Sequence, residues 1–134
     1  MFERVGFPKR DIDKMATALA NTHRILWVRS TTSSRLARAG QLVGFARATG
    51  DGALSATIWD VAVNPAWQRI GLGRALMERL TAALVADGIS TITLYAEPGV
   101  VGLYERLGFV RDPEGLRGMG FQRKAAVARL AAMA

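Results

Sequence analysis

The chain has no cysteine, one histidine and no apolar run approaching the length of a membrane span. Without cysteine there is no disulfide, no thiolate metal site and no cysteine nucleophile. A single histidine excludes a multi-histidine metal centre, so no metal is expected. A Ser-His-Asp triad would have to use His23, which lies in the helix-end-like stretch Ala20-Asn21-Thr22-His23 and reads as a helix-end or surface residue. Lysine is also scarce. Fifteen of the eighteen basic residues are arginine, in a chain of net charge +7. These arginines are dispersed from Arg4 to Arg129, with no basic run and no interleaved aromatic platform. The charge therefore reads as a solvated basic surface able to steer a polyanionic ligand, and neither nucleic acid nor membrane is expected as a partner. No secretory signal or Arg/Ser-rich transit segment opens the sequence, which fits a cytoplasmic protein or a trimmed organellar one.

What is present is enough apolar residue for a core, 50% of 134 residues, and one domain is expected over residues 1–134. Asp11 to Asn21 reads as a helix capped by Asp11 or Asp13, with Met15 and Leu19 on its apolar stripe. Strands are expected at Ile25 to Val28, Gln41 to Ala48 and Ser55 to Val63. The first two are separated by a polar, basic loop, the last two by the turn Gly50-Asp51-Gly52. Leu72, Leu76, Leu80 and Leu84 recur every four residues, the spacing of a helix from Gly73 to Asp87 with Gly88 as its stop. A strand at Thr91 to Ala96, a helix opening near Pro98 and ending before Gly108, and short strands from Phe109 and at Gly118 to Arg123 complete the order. Residues 124–134 read as a loose helix or tail, and the alternation of elements indicates an α/β sandwich on a mixed sheet.

The joint between the long strand and the leucine helix, Gln68-Arg69-Ile70-Gly71-Leu72-Gly73, carries the strongest chemical signal. Two glycines let the backbone approach a ligand, and a helix start offers free N–H groups and the positive end of the dipole. That is an anion site, most naturally for a pyrophosphate. A dinucleotide fingerprint needs Gly or Ala where Leu76 stands, and a Walker A loop needs Gly-Lys-Ser/Thr. The remaining pattern, Gln/Arg-x-x-Gly-x-Gly/Ala, resembles the acetyl-CoA loop of the GNAT N-acetyltransferases. Tyr104-Glu105-Arg106-Leu107-Gly108-Phe109 is similar to a second block of that family. Val5 to Asp11, Phe45 to Gly52, Ile58 to Val61 and Asp112 to Gly115 resemble, more closely, its plastid and cyanobacterial group. That group contains the plant serotonin N-acetyltransferases and plastid protein acetyltransferases. Members of the family usually begin with a strand before the first helix, whereas here only about ten residues precede it, so that strand is expected to be short or missing.

The resemblance implies a GNAT fold, a mixed and mostly antiparallel sheet flanked by helices and splayed at the acetyl-CoA site. It implies that Gln68, Arg69, Ile70, Gly71, Leu72, Gly73 and Arg74 hold the pyrophosphate, and that the backbone of Val61, Ala62 and Val63 pairs with the pantetheine arm. An alkylamine with pKa about 10.4 is only about 0.1% neutral near pH 7.4, a deficit of roughly 4 kcal/mol, whereas a thiol near 8.5 leaves readily. A base or proton relay therefore matters more than an acid. The resemblance points to Asp60 and Glu97, in either order, for that task, to Tyr104 as the acid that protonates the departing thiolate, and to Trp59 at the amine pocket. It implies a plastid stroma location, and an amine substrate that is either serotonin or a related arylalkylamine, or a protein lysine or N-terminus. The chain would act as a monomer or homodimer. A catalytically silent acyl-CoA-binding module is the remaining alternative.

Overall fold

In the computed structural model, which describes residues 10–35 and 38–133, Asp11 settles the choice of cap. Its Oδ1 accepts from the N–H groups of Asp13 and Lys14 at 2.8 and 3.1 Å, opening helix α1 at Ile12–Ala20. Strands β1 (Arg24–Arg29), β2 (Leu42–Gly50) and β3 (Ser55–Val63) follow, and helix α2 spans Leu72–Ala86. Strand β4 is Thr91–Leu94, helix α3 is Val101–Arg106 and helix α4 is Arg123–Met133. The sheet runs in the order β1-β2-β3-β4. Its first two pairings are antiparallel and β3–β4 is parallel.

One face of this sheet carries the main core. Ala46 and Ala48 of β2 and Ala56 and Ile58 of β3 pack against Leu76, Met77, Leu80 and Leu84 of α2, all buried. Full burial of each large side chain is worth about 1.5–3 kcal/mol, so the four-residue period of the helix is what fastens it to the sheet. Gly44 permits the close approach: a Cβ there would lie 3.2 Å from Leu76 Cδ1.

Two features of β3 position the site. Its ladder with β4 covers only Ser55↔Thr91 to Ile58↔Leu94, after which β3 continues to Val63 paired with β2 alone and its other edge is left free. Its register against β2 also slips: Arg47 pairs with Trp59 but Phe45 pairs with Ala62. Asp60 and Val61 together face Ala46, a β-bulge, with Asp60 at φ 55°. The extra residue reverses the alternation. Ala56 and Ile58 face α2 before it, and Val61 and Val63 pack toward the same core after it.

The strands expected from Phe109 and at Gly118 to Arg123 do not form among the described residues. Phe109 instead packs its ring edge-on to Tyr104, at 6.1 Å between centroids. Positive φ at Asp112, Glu114 and Gly115 around Pro113 then turns the chain away, and Gly118 and Gly120 weaken any ladder beyond. Strand β4 stops two residues short of the expected Ala96. The expectation of a shortened first strand falls on residues 1–9, outside the described residues, as does part of the β1–β2 loop at 36–37. No helix among the described residues is long and apolar enough to cross a membrane.

Candidate active site

Where β3 and β4 part, a cavity of about 760 Å³ opens. One end is the glycine loop. Pro65–Trp67 form a single 3₁₀ turn capped by Asn64 Oδ1, and Gln68 Nε2 donates to Val63 O at 3.0 Å, tying the loop to the strand end. Arg69 and Gly71 take left-handed φ values of 65° and 84°. Gly71 is the N-cap of α2 and supplies no side-chain hydrogen bond. The first N–H groups of α2 are thus left for a ligand, at the positive end of the helix dipole. Nothing lies within 4 Å of a Cβ built on Gly71, so it is the left-handed backbone conformation that favours glycine there. Gln68, Arg69, Gly71, Gly73 and Arg74 line the cavity, as do Val61, Ala62 and Val63. Ile70 and Leu72 of the same loop do not line it, and Ile70 is exposed. Arg74 pairs with Glu78 at 2.9 Å one turn along α2, while Arg69 forms no ion pair among the described residues.

The other end gathers the chemistry-bearing side chains. Trp59, Asp60, Glu97 and Tyr104 all line the cavity. Glu97 stands at the N-cap position of the 3₁₀ turn Pro98–Val100, yet its side chain makes no cap hydrogen bond and is exposed. Its carboxylate is therefore accessible to a substrate or a water. Tyr104 is half-buried on α3, and burial pushes its phenol above the usual tyrosine range. It is the protonated, donating form at neutral pH.

Asp60 differs. Arg10 donates to both of its oxygens, at 2.9 and 2.7 Å, and Arg47 Nε donates to Oδ2 at 2.7 Å. Burial alone would raise its carboxyl pKa, but the hydrogen bonds from Arg10 and Arg47 outweigh that and hold it below the usual carboxylate range. A carboxylate so paired is a poor proton acceptor, which counts against the expected role of base or relay.

Sequence reasoning did not single out Tyr95, Arg10 or Arg47. Tyr95 follows β4 directly, and the Ile58↔Leu94 pairing brings it beside Trp59. The two rings lie 5.4 Å apart with a 30° tilt, and Trp59 Nε1 is fixed by donation to Thr49 Oγ1 at 2.8 Å. Gly118 closes behind Tyr95: a Cβ there would stand 2.5 Å from the ring. The result is an aromatic wall at the mouth of the cavity, with Trp59 37% and Tyr95 64% exposed. Strand register would have found it; composition and motif spacing do not.

Comparison with known proteins places the chain in a family. Residues 22–111 match the model of the acetyltransferase (GNAT) domain. Serotonin N-acetyltransferase 2, chloroplastic, from Oryza sativa subsp. japonica is 50% identical over 92% of this chain and 60% of its own length. GCN5-related N-acetyltransferase 1, chloroplastic, from Arabidopsis thaliana is 51% identical over 92% of this chain and 60% of its own length. The chain thus spans about 60% of the length of these curated relatives. A solved GNAT-family acetyltransferase from Streptococcus pneumoniae superposes with a TM-score of 0.71 at 24% identity, covering 90% of this chain and 84% of its own, a likeness of fold. With the glycine loop, the parted strands and the tyrosine block in place, the chain belongs to the GNAT acetyltransferase family.

Proposed function

We propose that this chain transfers the acetyl group of acetyl-CoA to a primary amine, and that the amine is serotonin or a related arylalkylamine. The observation that carries the choice of amine is the Trp59–Tyr95 wall, which lines the same cavity as Glu97 and Tyr104. A flat aromatic substrate gains offset stacking there, about 0.5–1.5 kcal/mol beyond its buried area. The serotonin N-acetyltransferase among its relatives supports the same choice, and the chloroplastic names of both relatives support a plastid stroma location.

The parts fit acetyl-CoA. The uncapped start of α2 and the backbone from Arg69 to Arg74 receive the pyrophosphate, and the free edge of β3 at Val61–Val63 receives the pantetheine amides. Glu97, directly or through one water, takes the proton from the substrate ammonium. The neutral nitrogen attacks the thioester carbonyl, the new C–N bond forms and the C–S bond breaks. Tyr104 gives its phenolic proton to the departing thiolate, and the second proton, which the nitrogen sheds as it becomes the amide, passes through water to the phenolate and restores the phenol. No covalent enzyme intermediate is needed.

Protein lysines or N-termini are the second reading, favoured by the exposure of Tyr95, which leaves the mouth open to a larger substrate. Trp59→Ala separates the two. With an aromatic ring on the wall, the KM for serotonin rises at least about tenfold, roughly 1.4 kcal/mol, while acetyl-CoA affinity is unchanged. An unchanged KM for serotonin would remove the aromatic site.

A further inference from the structure

A heavily paired side chain at the cavity sits on a left-handed backbone. Asp60 holds φ 55°, a left-handed conformation that costs a non-glycine residue about 1–2 kcal/mol. Such strain persists only where the surroundings over-determine it. Here three hydrogen bonds from two guanidinium groups do so, and Arg47 is itself anchored by donation to Thr22 Oγ1 at 3.1 Å. One carboxylate, its side chain only 7% exposed, thereby joins the segment before α1, strand β2 and the bulge of β3. That bulge gives Val61–Val63 the register that turns their free edge into the cavity.

We propose that Asp60 is a positioning residue, an anionic clasp that holds the β3 bulge in the shape that receives the acyl donor, and that it carries no proton during turnover. Both of its oxygens are engaged by guanidinium groups, and that pairing favours the anion. Among the described residues, the charged groups that face it are Arg10 from the segment before α1 and Arg47 from β2. Glu97 and Tyr104 share the cavity, and Arg69 and Arg74 lie at its loop end. Of the groups on the amine side, Glu97 is the carboxylate without a cationic partner among the described residues. The inference rests on the acyl-CoA reading of the cavity.

The test compares Asp60→Asn, Arg47→Met and the double variant, using acetyl-CoA affinity by calorimetry and the pH profile of kcat with whichever amine the wild type acetylates. A wild type that binds no acetyl-CoA fails the acyl-CoA reading by itself, before any variant is compared. A clasp predicts that each single variant weakens acetyl-CoA binding about tenfold, that the double variant is little worse than either, and that the acid limb of kcat stays in place. A base predicts otherwise. Asp60→Asn would then abolish the acid limb with intact acetyl-CoA affinity, and Arg47→Met, which strips a cation from the carboxylate, would move the limb to higher pH. Either of those results overturns the proposal. If Asp60→Asn does not fold, Arg47→Met decides alone: weaker acetyl-CoA binding with an unmoved limb supports the clasp, and a limb displaced upward overturns it.

Discussion

Replacing Tyr104 by phenylalanine removes one oxygen and little else. The ring packs edge-on to Phe109 at 6.1 Å and against the α2 core, contacts that phenylalanine keeps. The Tyr104 hydroxyl makes no hydrogen bond among the described residues, so the change orphans no partner there. Folding stability should therefore move by less than about 1 kcal/mol. The catalytic effect is larger but bounded. General acids contribute about 10²–10⁴-fold. A thiolate whose conjugate acid has pKa about 8.5 is already a tolerable leaving group near neutral pH, which places the loss at the lower limit. We expect kcat to fall about 10²-fold, roughly 3 kcal/mol, with acetyl-CoA affinity unchanged. Because burial raises the Tyr104 pKa, the wild type should keep its acid function until the pH passes the usual tyrosine value of about 10. Thiol release from acetyl-CoA, read with a thiol-trapping dye, gives kcat, and calorimetry gives the affinity. Wild-type turnover by Tyr104→Phe would refute the assignment.

Gly71→Ala tests the loop by conformation alone. A Cβ there meets no atom within 4 Å, so its cost is left-handed strain of about 1–2 kcal/mol, and the relaxed loop should bind acetyl-CoA at least about tenfold more weakly by calorimetry. An unchanged Kd would take the loop out of the binding site. A second pH dependence lies far from the chemistry. Hydrogen bonds from Arg24 and then His23 bring Asp87 down to about 2, against burial that would raise it. Its folded pKa is below its unfolded one, so this contribution is full above about pH 4 and is lost as pH falls toward about 2. The melting temperature of Asp87→Asn should lie below that of the wild type at pH 6, with the gap closing as the pH falls through that window. A gap that stays constant would show that the cluster carries no linked protonation.

Much of the scaffold could be read from periodicity, because α2 and β3 each bury a regular face. The leucines of α2 fall where a period of four places them, and β3 occupies the expected Ser55–Val63. The late strands were misread because a short apolar run such as Phe109-Val110 carries the same signal whether it joins a ladder or packs onto a helix. The glycine loop and Tyr104 were visible as motifs, since their chemistry depends on residues close together in the chain. The aromatic wall and the Asp60 cluster were not, because Trp59 meets Tyr95 and Asp60 meets Arg47 through strand register and the bulge, and Arg10 reaches Asp60 from 50 residues away in the chain. A one-residue slip in β3 leaves no mark on composition, yet it decides which side chains face the cavity.

The most direct test of the account is thiol release from acetyl-CoA with serotonin and a lysine peptide assayed side by side on the same chain. The account predicts turnover with serotonin and little with the peptide. Turnover with the peptide alone would contradict the aromatic amine site, and turnover with neither amine would contradict acetyl transfer itself.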